Sequence, residues 1–144
     1  MAKALSPLAM ATTHAAAFTQ SRPWSEAEFK DLLDSPFTFA VGDARCFALV
    51  RVIVDEAELL TIATHPEHQN QGLARALMLD WQSTAKQRGA QTAFLEVAAD
   101  NDAACHLYRS TGYSSCGNRP AYYARETGRS VDAILMRRAI TPNK

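Results

Sequence analysis

Two side chains in the second half of the sequence could act together as an acid–base pair. Glu96 lies in the apolar segment 92–97, where a carboxylate is costly unless it is paired or used. Tyr108 follows twelve positions later, on a predicted short helix. A carboxylate and a phenol that flank one cleft can accept and donate protons at a reacting centre. Both residues are therefore candidate catalytic groups.

Each of these residues also has a purely structural interpretation. Glu96 could form an ion pair with one of three arginines that follow it in the chain, namely Arg109, Arg119 or Arg125. Tyr108 could be a half-buried phenol of the core. The residue types alone leave both interpretations open.

A polar loop that enters the longest predicted helix could bind an anion. It runs from His65 to Gln71, and Gly72 follows at the helix start. The first N–H groups of a helix have no intrahelical partner and lie at the positive end of the helix dipole, which suits a pyrophosphate. Gly72 has no Cβ that would keep a phosphate from the backbone, and Ala74 is nearly as small. A lone glycine at a helix start is also an ordinary structural feature, and the segment is neither a Walker loop nor GxGxxG.

Capping signals and apolar periodicity predict the elements that position these groups. Predicted helices cover Ser6–Phe18, a segment after the Ser25–Glu28 capping box, Gly72–Arg88 and Asn101–Ser110. Predicted strands cover Phe37–Val41, Cys46–Val54, Leu59–Thr64, Thr92–Val97 and two antiparallel segments of Tyr113–Ala139 that join around Glu126–Gly128. This order predicts an α/β domain with a mixed central sheet. The strand–helix–strand unit in the middle makes its two strands parallel.

Composition narrows the classes of function. The 144 residues fit a single domain over 1–144, and the 15 Lys and Arg balance the 15 Asp and Glu. Such a balance disfavours a dedicated nucleic-acid or membrane-surface binder. The three cysteines form no CxxC pair, which favours free thiols and a cytoplasmic location. His65 and His68 lack a further ligand beside Glu67, so we predict no metal site.

Several motifs together resemble one enzyme family. Gln69-x-x-Gly72-x-Ala74 matches the acetyl-CoA-binding signature Q/R-x-x-G-x-G/A of the GCN5-related N-acetyltransferases (GNAT). Further segments resemble one branch of this family, the ribosomal-protein-alanine N-acetyltransferases. These segments are Pro23-Trp24-Ser25, Asp55–Leu59 with Ile62-Ala63, Leu95-Glu96-Val97, Asn101, Leu107-Tyr108, Gly112-Tyr113, Tyr122-Tyr123 and Asp132–Met136. The resemblance extends from about Trp24 to Arg137. It departs from the branch at Ala98, which is commonly arginine there, and at Ala124, which is usually proline.

The resemblance implies a fold and a co-substrate. The fold is the GNAT α/β fold, whose mixed central sheet is splayed between two parallel central strands and flanked by helices on both faces. The co-substrate is acetyl-CoA. Its pantetheine is expected along the strand backbone and its pyrophosphate in the loop, and the residues that match are Ile62, Ala63, Thr64, Asn70, Gln71, Gly72, Leu73, Ala74, Arg75 and Asn101.

The resemblance also assigns roles in catalysis. Glu96 matches the general base, acting through ordered water, and Tyr108 matches the general acid. Trp24, Tyr122 and Tyr123 are candidates for a peptide groove, although Trp24 could instead be a hydrophobic staple of its helix.

The reaction that the resemblance implies is direct acetyl transfer to the α-amine of a protein N-terminus, with a ribosomal-protein alanine as the acceptor. An α-amine has a pKa of about 7.7–8.0 and lysine about 10.4, so more of the α-amine is free base at neutral pH. The sequence also leaves two alternatives open. One is a GNAT enzyme that acetylates a small amine, an amino acid or a lysine. The other is a sensor that binds acyl-CoA without catalysis.

Overall fold

Four α-helices and six strands account for most of the residues that the structure describes. A computed structural model describes residues 5–18, 22–125 and 128–140, so Glu126 and Thr127 of the predicted hairpin turn lie outside the described residues. The helices are α1 (Pro7–Ala17), α2 (Glu26–Leu33), α3 (Leu73–Gln87) and α4 (Asp102–Ser110), with a 3-10 turn at Pro66–His68. The strands are β1 (Thr38–Asp43), β2 (Cys46–Ile53), β3 (Glu56–Thr64), β4 (Thr92–Ala98), β5 (Ser114–Ala124) and β6 (Ser130–Ala139). Among the described residues, no helix combines the length and the apolar character that crossing a membrane requires.

The six strands form one mixed sheet that opens at its centre. Their order is β1-β2-β3-β4-β6-β5, and only β3 and β4 are parallel. These two strands pair only over Glu56–Glu58 and Thr92–Phe94, although β3 continues to Thr64 and β4 to Ala98. Beyond the paired residues the two strands diverge, which leaves a gap between them. The predicted mixed, splayed sheet is confirmed.

A β-bulge in β3 changes which side chains face each side of the sheet next to this gap. The register with β2 changes between the pairs Leu49–Thr61 and Val50–Leu59, so Leu60 is an extra residue on β3. A bulge bends its strand and reverses the alternation of side chains. Accordingly, Ala57 and Leu59 before the bulge pack in the cluster beneath α3, whereas Ala63, an even number of residues further on, packs in the cluster beneath α1 and α2.

The two faces of the sheet carry separate apolar clusters. The cluster toward α3 and α4 includes the predicted helical stripe of Trp81 and Ala85, together with Cys105 and Tyr108. The cluster toward α1 and α2 is built on Met10, Phe29, Phe47, Leu49 and Ala63. Helices thus cover both faces. Each cluster ends at the gap between β3 and β4, because Ala63 belongs to one and Val97 to the other.

Side-chain hydrogen bonds fix α1 on the sheet. The Thr13 hydroxyl donates to the Ala44 carbonyl at 2.5 Å. The buried His14 ring stacks on Phe18 with 4.3 Å between centroids, and its Nδ1 accepts the Trp24 backbone N–H at 3.1 Å. Burial lowers the pKa of His14 from 6.5 to about 4, because the charged ring would lose its hydration.

Stability is expected to fall on acidification because of His14. Between pH 6.5 and about 4 the unfolded chain protonates this histidine and the folded chain does not. Protons therefore favour the unfolded state, and the free energy of unfolding drops by about 2 kcal/mol across that window. Urea unfolding at a series of pH values measures it. His14→Gln keeps an acceptor for the Trp24 N–H and should flatten the slope, whereas the exposed His106→Gln should not. An unchanged slope in His14→Gln would refute the assignment.

Candidate active site

The gap between β3 and β4 opens into a cavity of about 840 Å³. Its walls come from the end of β3 that is no longer paired with β4, the loop before α3, and the first half of α4 with the end of β4. All of the predicted cofactor-binding residues except Gln71 line it: Ile62, Ala63, Thr64, Asn70, Gly72, Leu73, Ala74, Arg75 and Asn101. The tertiary structure therefore brings the strand segment and the loop segment to one elongated site.

The start of α3 has the properties of an anion site. Asn70 and Gly72 both have left-handed backbones, with φ of 62° and 78°. Gly72 is the N-cap and no side chain caps the helix; the first helical bond runs from the Ala76 N–H to the Gly72 carbonyl at 3.1 Å. The three N–H groups between them therefore have no intrahelical partner. A Cβ added at Gly72 would meet no atom within 4 Å, so the space above the backbone is open to a ligand.

Asn101 combines two roles. Its side-chain oxygen accepts the Ala104 N–H at 3.2 Å, which makes it the N-cap of α4. This cap alone accounts for an asparagine at that position. The residue also lines the cavity, so its contact with the cofactor remains a prediction.

The carboxylate of Glu96 lies where two cavities meet. Besides the main cavity, it lines a second one of about 390 Å³ with Arg51, Glu58, Phe94 and Arg119. The second cavity is formed by β2, β3, β4, β5 and β6 side chains on the sheet face opposite to α3. Glu96 thus connects a site on one side of the gap with a site on the other.

The two carboxylate oxygens of Glu96 differ in their surroundings. Oε1 lies 3.3 Å from the Arg119 guanidinium, so among the three candidate arginines Arg119 is the partner. Oε2 is buried and has no hydrogen-bond partner among the described residues. An unpaired buried carboxylate oxygen is costly, and at a junction of cavities it suggests a donor supplied by a ligand.

Tyr108 lines the main cavity from α4 while its ring is part of the core. Only 6% of the residue is exposed, and its ring lies 6.3 Å from that of Tyr113. Burial raises the pKa of Tyr108 well above its ordinary value of 10.0. The phenol therefore stays protonated at neutral pH and is a weaker acid than an ordinary tyrosine.

The three residues predicted for a peptide groove lie in different places. Tyr123 is half-buried in the main cavity, where burial and then the charge of Glu96 raise its pKa. Tyr122 is 53% exposed, and its ring lies 5.4 Å from the Arg119 guanidinium. Trp24 packs between α1 and α2, 5.2 Å from the His14 ring, and lines neither cavity. The structure therefore brings the two tyrosines toward Glu96 and places Trp24 away from it.

The sequence of this chain matches known acetyltransferases. The model of the Acetyltransferase (GNAT) family matches residues 9–113. The chain belongs to the GNAT acetyltransferase family. This acetyltransferase is 40% identical over 118 residues to the [ribosomal protein bS18]-alanine N-acetyltransferase of Escherichia coli K12, a match that covers 79% of each chain. It is 38% identical over 130 residues to the N-alpha-acetyltransferase RimI of Mycobacterium tuberculosis, covering 84% of this chain and 78% of the relative.

A solved structure agrees with these relatives. The crystal structure of the ribosomal-protein-S18-alanine N-acetyltransferase from Escherichia coli superposes with a TM-score of 0.86 at 33% identity, covering 100% of this chain and 96% of that chain. The acetyltransferase is an N-acetyltransferase, and GNAT acetyltransferases use acetyl-CoA as co-substrate.

Sequence reasoning missed one charged pair in this acetyltransferase. Arg125, directly after β5, donates two hydrogen bonds to Asp100 at 2.8 and 3.0 Å. Both residues line the main cavity, and the Arg125 guanidinium lies 5.6 Å from the Tyr123 ring. The pair ties the C-terminal hairpin to the turn before α4. No local signal reveals it, because the two residues are 25 positions apart.

Proposed function

We propose that this N-acetyltransferase transfers the acetyl group of acetyl-CoA to the α-amine of a protein N-terminus, with an N-terminal alanine of a ribosomal protein as the acceptor. The observation that carries the proposal is the Glu96 carboxylate, whose buried and unpaired oxygen lies at the junction of two cavities. The names of two relatives with 40% and 38% identity support this acceptor class.

Acetyl-CoA would occupy the main cavity. The pyrophosphate would accept hydrogen bonds from the free N–H groups at the start of α3, with Gly72 allowing close approach. The pantetheine would lie along the edge of 62–64 that faces the gap and is not paired with β4, which places the thioester near Glu96 and Tyr108. A volume of about 840 Å³ falls within the range of cofactor sites. Gln69 and Asn101 also line this cavity.

The acceptor would enter through the second cavity and meet the thioester in the gap. Its neutral amine attacks the carbonyl carbon, and a C–N bond forms as the oxygen becomes an oxyanion. Backbone N–H groups along the part of β3 that is not paired with β4 would stabilise that charge, a contribution of about 3–4 kcal/mol per donor in other enzymes. Glu96 accepts the proton of the new ammonium, directly or through water. The oxyanion then re-forms the carbonyl, the C–S bond breaks, and CoA leaves as a thiolate beside the Tyr108 hydroxyl.

Burial of Tyr108 refines this scheme. A thiol has a pKa of about 8.5, well below that of the buried phenol, so full proton transfer to a free thiolate is unfavourable. The neutral phenol instead donates a hydrogen bond to the departing sulfur, and its proton moves to sulfur only as another proton replaces it, so that no free phenolate forms. The proton collected by Glu96 can supply this replacement through the cavity that both residues line.

Two matched peptides test the acceptor class. One has a free N-terminal alanine, and the other has a blocked N-terminus and an internal lysine. Mass spectrometry of the peptides is the suitable readout, since the exposed Cys116 would react with thiol reagents that detect CoA. We expect acetylation of the free alanine only. Acetylation of the lysine peptide alone would refute the proposal in favour of a lysine acetyltransferase. If neither peptide reacts while acetyl-CoA raises the melting temperature, the small-amine and sensor alternatives gain support.

Gly72→Val is expected to raise the KM for acetyl-CoA about tenfold or more. A β-branched residue is strained at φ 78°, by about 1–2 kcal/mol, and its side chain would cover the phosphate position. Gly128→Val is the matched control, because Gly128 has φ 84° and equally open surroundings but does not line the cavity. Steady-state kinetics with acetyl-CoA varied measure the effect. Equal KM values in the two variants would contradict a pyrophosphate site at Gly72.

A further inference from the structure

Arg119 holds the carboxylate of Glu96 from the acceptor side of the gap. Both residues line the second cavity, through which the acceptor would enter. At neutral pH the acceptor arrives mainly as an ammonium ion. The acceptor ammonium and the Arg119 guanidinium are therefore both attracted to the Glu96 carboxylate.

The contact between Arg119 and Glu96 is loose. One nitrogen of the guanidinium lies 3.3 Å from Oε1, and 52% of the arginine side chain is exposed. The Arg125–Asp100 pair is different, because it makes two hydrogen bonds and the arginine side chain is only 12% exposed. An exposed ion pair contributes about 0–1 kcal/mol. A ligand can therefore displace Arg119 at small cost.

Arg119 also has a second partner within reach. The ring of Tyr122 lies 5.4 Å from its guanidinium carbon, within the distance of a cation–π contact. Both residues lie on β5, so the guanidinium can leave Glu96 and still keep its contact with the Tyr122 ring. The exposure of Tyr122 leaves room for that movement.

A fixed bulge directs Arg119 and Tyr122 toward the gap. The pairing of β5 with β6 is interrupted between Arg119 and Tyr123, and Ala121 has a left-handed backbone with φ 51°. The Asp132 carboxylate secures this conformation, since it accepts the Ala121 N–H at 2.8 Å and the Asn118 side-chain amide at 3.2 Å. Bulges of this kind re-aim side chains next to active sites.

We propose that Arg119 is a residue of the acceptor site that competes with the acceptor amine for Glu96 and thereby sets the affinity for the acceptor. In the acceptor-free enzyme its guanidinium occupies one side of the carboxylate. The ammonium group of a bound acceptor displaces it toward Tyr122 and takes the buried, unpaired Oε2 as its partner. The inference rests on the proposed function, in which Glu96 receives the proton of the acceptor.

Three variants test this competition. Arg119→Gln removes the competing charge, and Arg119→Lys keeps it. Arg137→Gln is the matched control, because it removes a positive charge from the same face of the sheet. Arg137 pairs with Phe94 on β4 and does not line the second cavity. The readouts are the KM of the alanine peptide, the KM of acetyl-CoA and calorimetric titration of the peptide onto the CoA-bound protein.

We expect Arg119→Gln to lower the peptide KM and Kd by about two- to fivefold, as the release of a weak ion pair allows. The KM of acetyl-CoA should stay unchanged, and Arg137→Gln should match the parent enzyme. Arg119→Lys keeps the positive charge, so its peptide Kd should lie between those of the parent enzyme and Arg119→Gln. A peptide Kd that is unchanged or higher in Arg119→Gln overturns the inference, as does an equal gain in Arg137→Gln. Glu96→Gln distinguishes failure of the proposed function from failure of the inference about Arg119. If Glu96→Gln leaves kcat intact, the proposed role of Glu96 is wrong, and the inference about Arg119 is wrong with it.

Discussion

Replacing Glu96 with glutamine should lower kcat by about 10²–10⁴-fold, the range typical of a lost general base. Glutamine has nearly the same shape but cannot accept the proton that the acceptor amine loses. We expect the KM of acetyl-CoA to change little, because the carboxylate lies at the gap and not at the pyrophosphate end of the cavity. The melting temperature should not fall, since Glu96 has one loose ion pair and an unpaired buried oxygen.

Single-turnover and steady-state kinetics with the alanine peptide measure this loss. Glu96→Asp is the matched control, since it keeps the carboxylate and withdraws it by one methylene group. It should fall between the parent enzyme and the glutamine variant, because the geometry of proton transfer suffers while the base survives. A kcat for Glu96→Gln within tenfold of the parent would show that another group accepts the proton.

Replacing Tyr108 with phenylalanine is expected to lower kcat by about 10²–10³-fold. The ring is buried in the core, so the variant keeps its packing and loses only the hydroxyl that faces the cavity. The departing thiolate then has no proton donor from α4. Because burial raises the pKa of Tyr108, kcat of the parent enzyme should not fall between pH 8 and about 10 through ionisation of this phenol.

Tyr113 provides the control for this substitution. It is another buried tyrosine, 6.3 Å from Tyr108, and its hydroxyl donates to the Gln82 side-chain oxygen at 3.0 Å. Tyr113→Phe should cost about 1 kcal/mol of stability through the lost hydrogen bond and leave kcat near the parent value. Thermal unfolding together with kinetics separates the two effects. If both variants lose the same activity, the effect of Tyr108→Phe comes from the core and not from proton donation.

The sequence by itself determined the features that depend on neighbours along the chain. The Ser25–Glu28 capping box and the Ser6 cap are local hydrogen-bond patterns, and both form as predicted. The apolar stripe of α3 follows from helical periodicity, which is why Trp81 and Ala85 are buried. The residues proposed for chemistry, Glu96 and Tyr108, were also visible in the sequence, because a carboxylate in an apolar strand and a resemblance at matched spacing need no coordinates.

Only the tertiary structure decided how those residues are surrounded. Arg109, Arg119 and Arg125 were equivalent partners of Glu96 in the sequence, and the order β4-β6-β5 with the bulge in β5 selected Arg119. The pKa of Tyr108 likewise depends on burial by distant segments, so its residue type could not predict it. Such properties arise from contacts between residues far apart in the chain. Their geometry is fixed by strand pairing and packing, and no local pattern of residues encodes it.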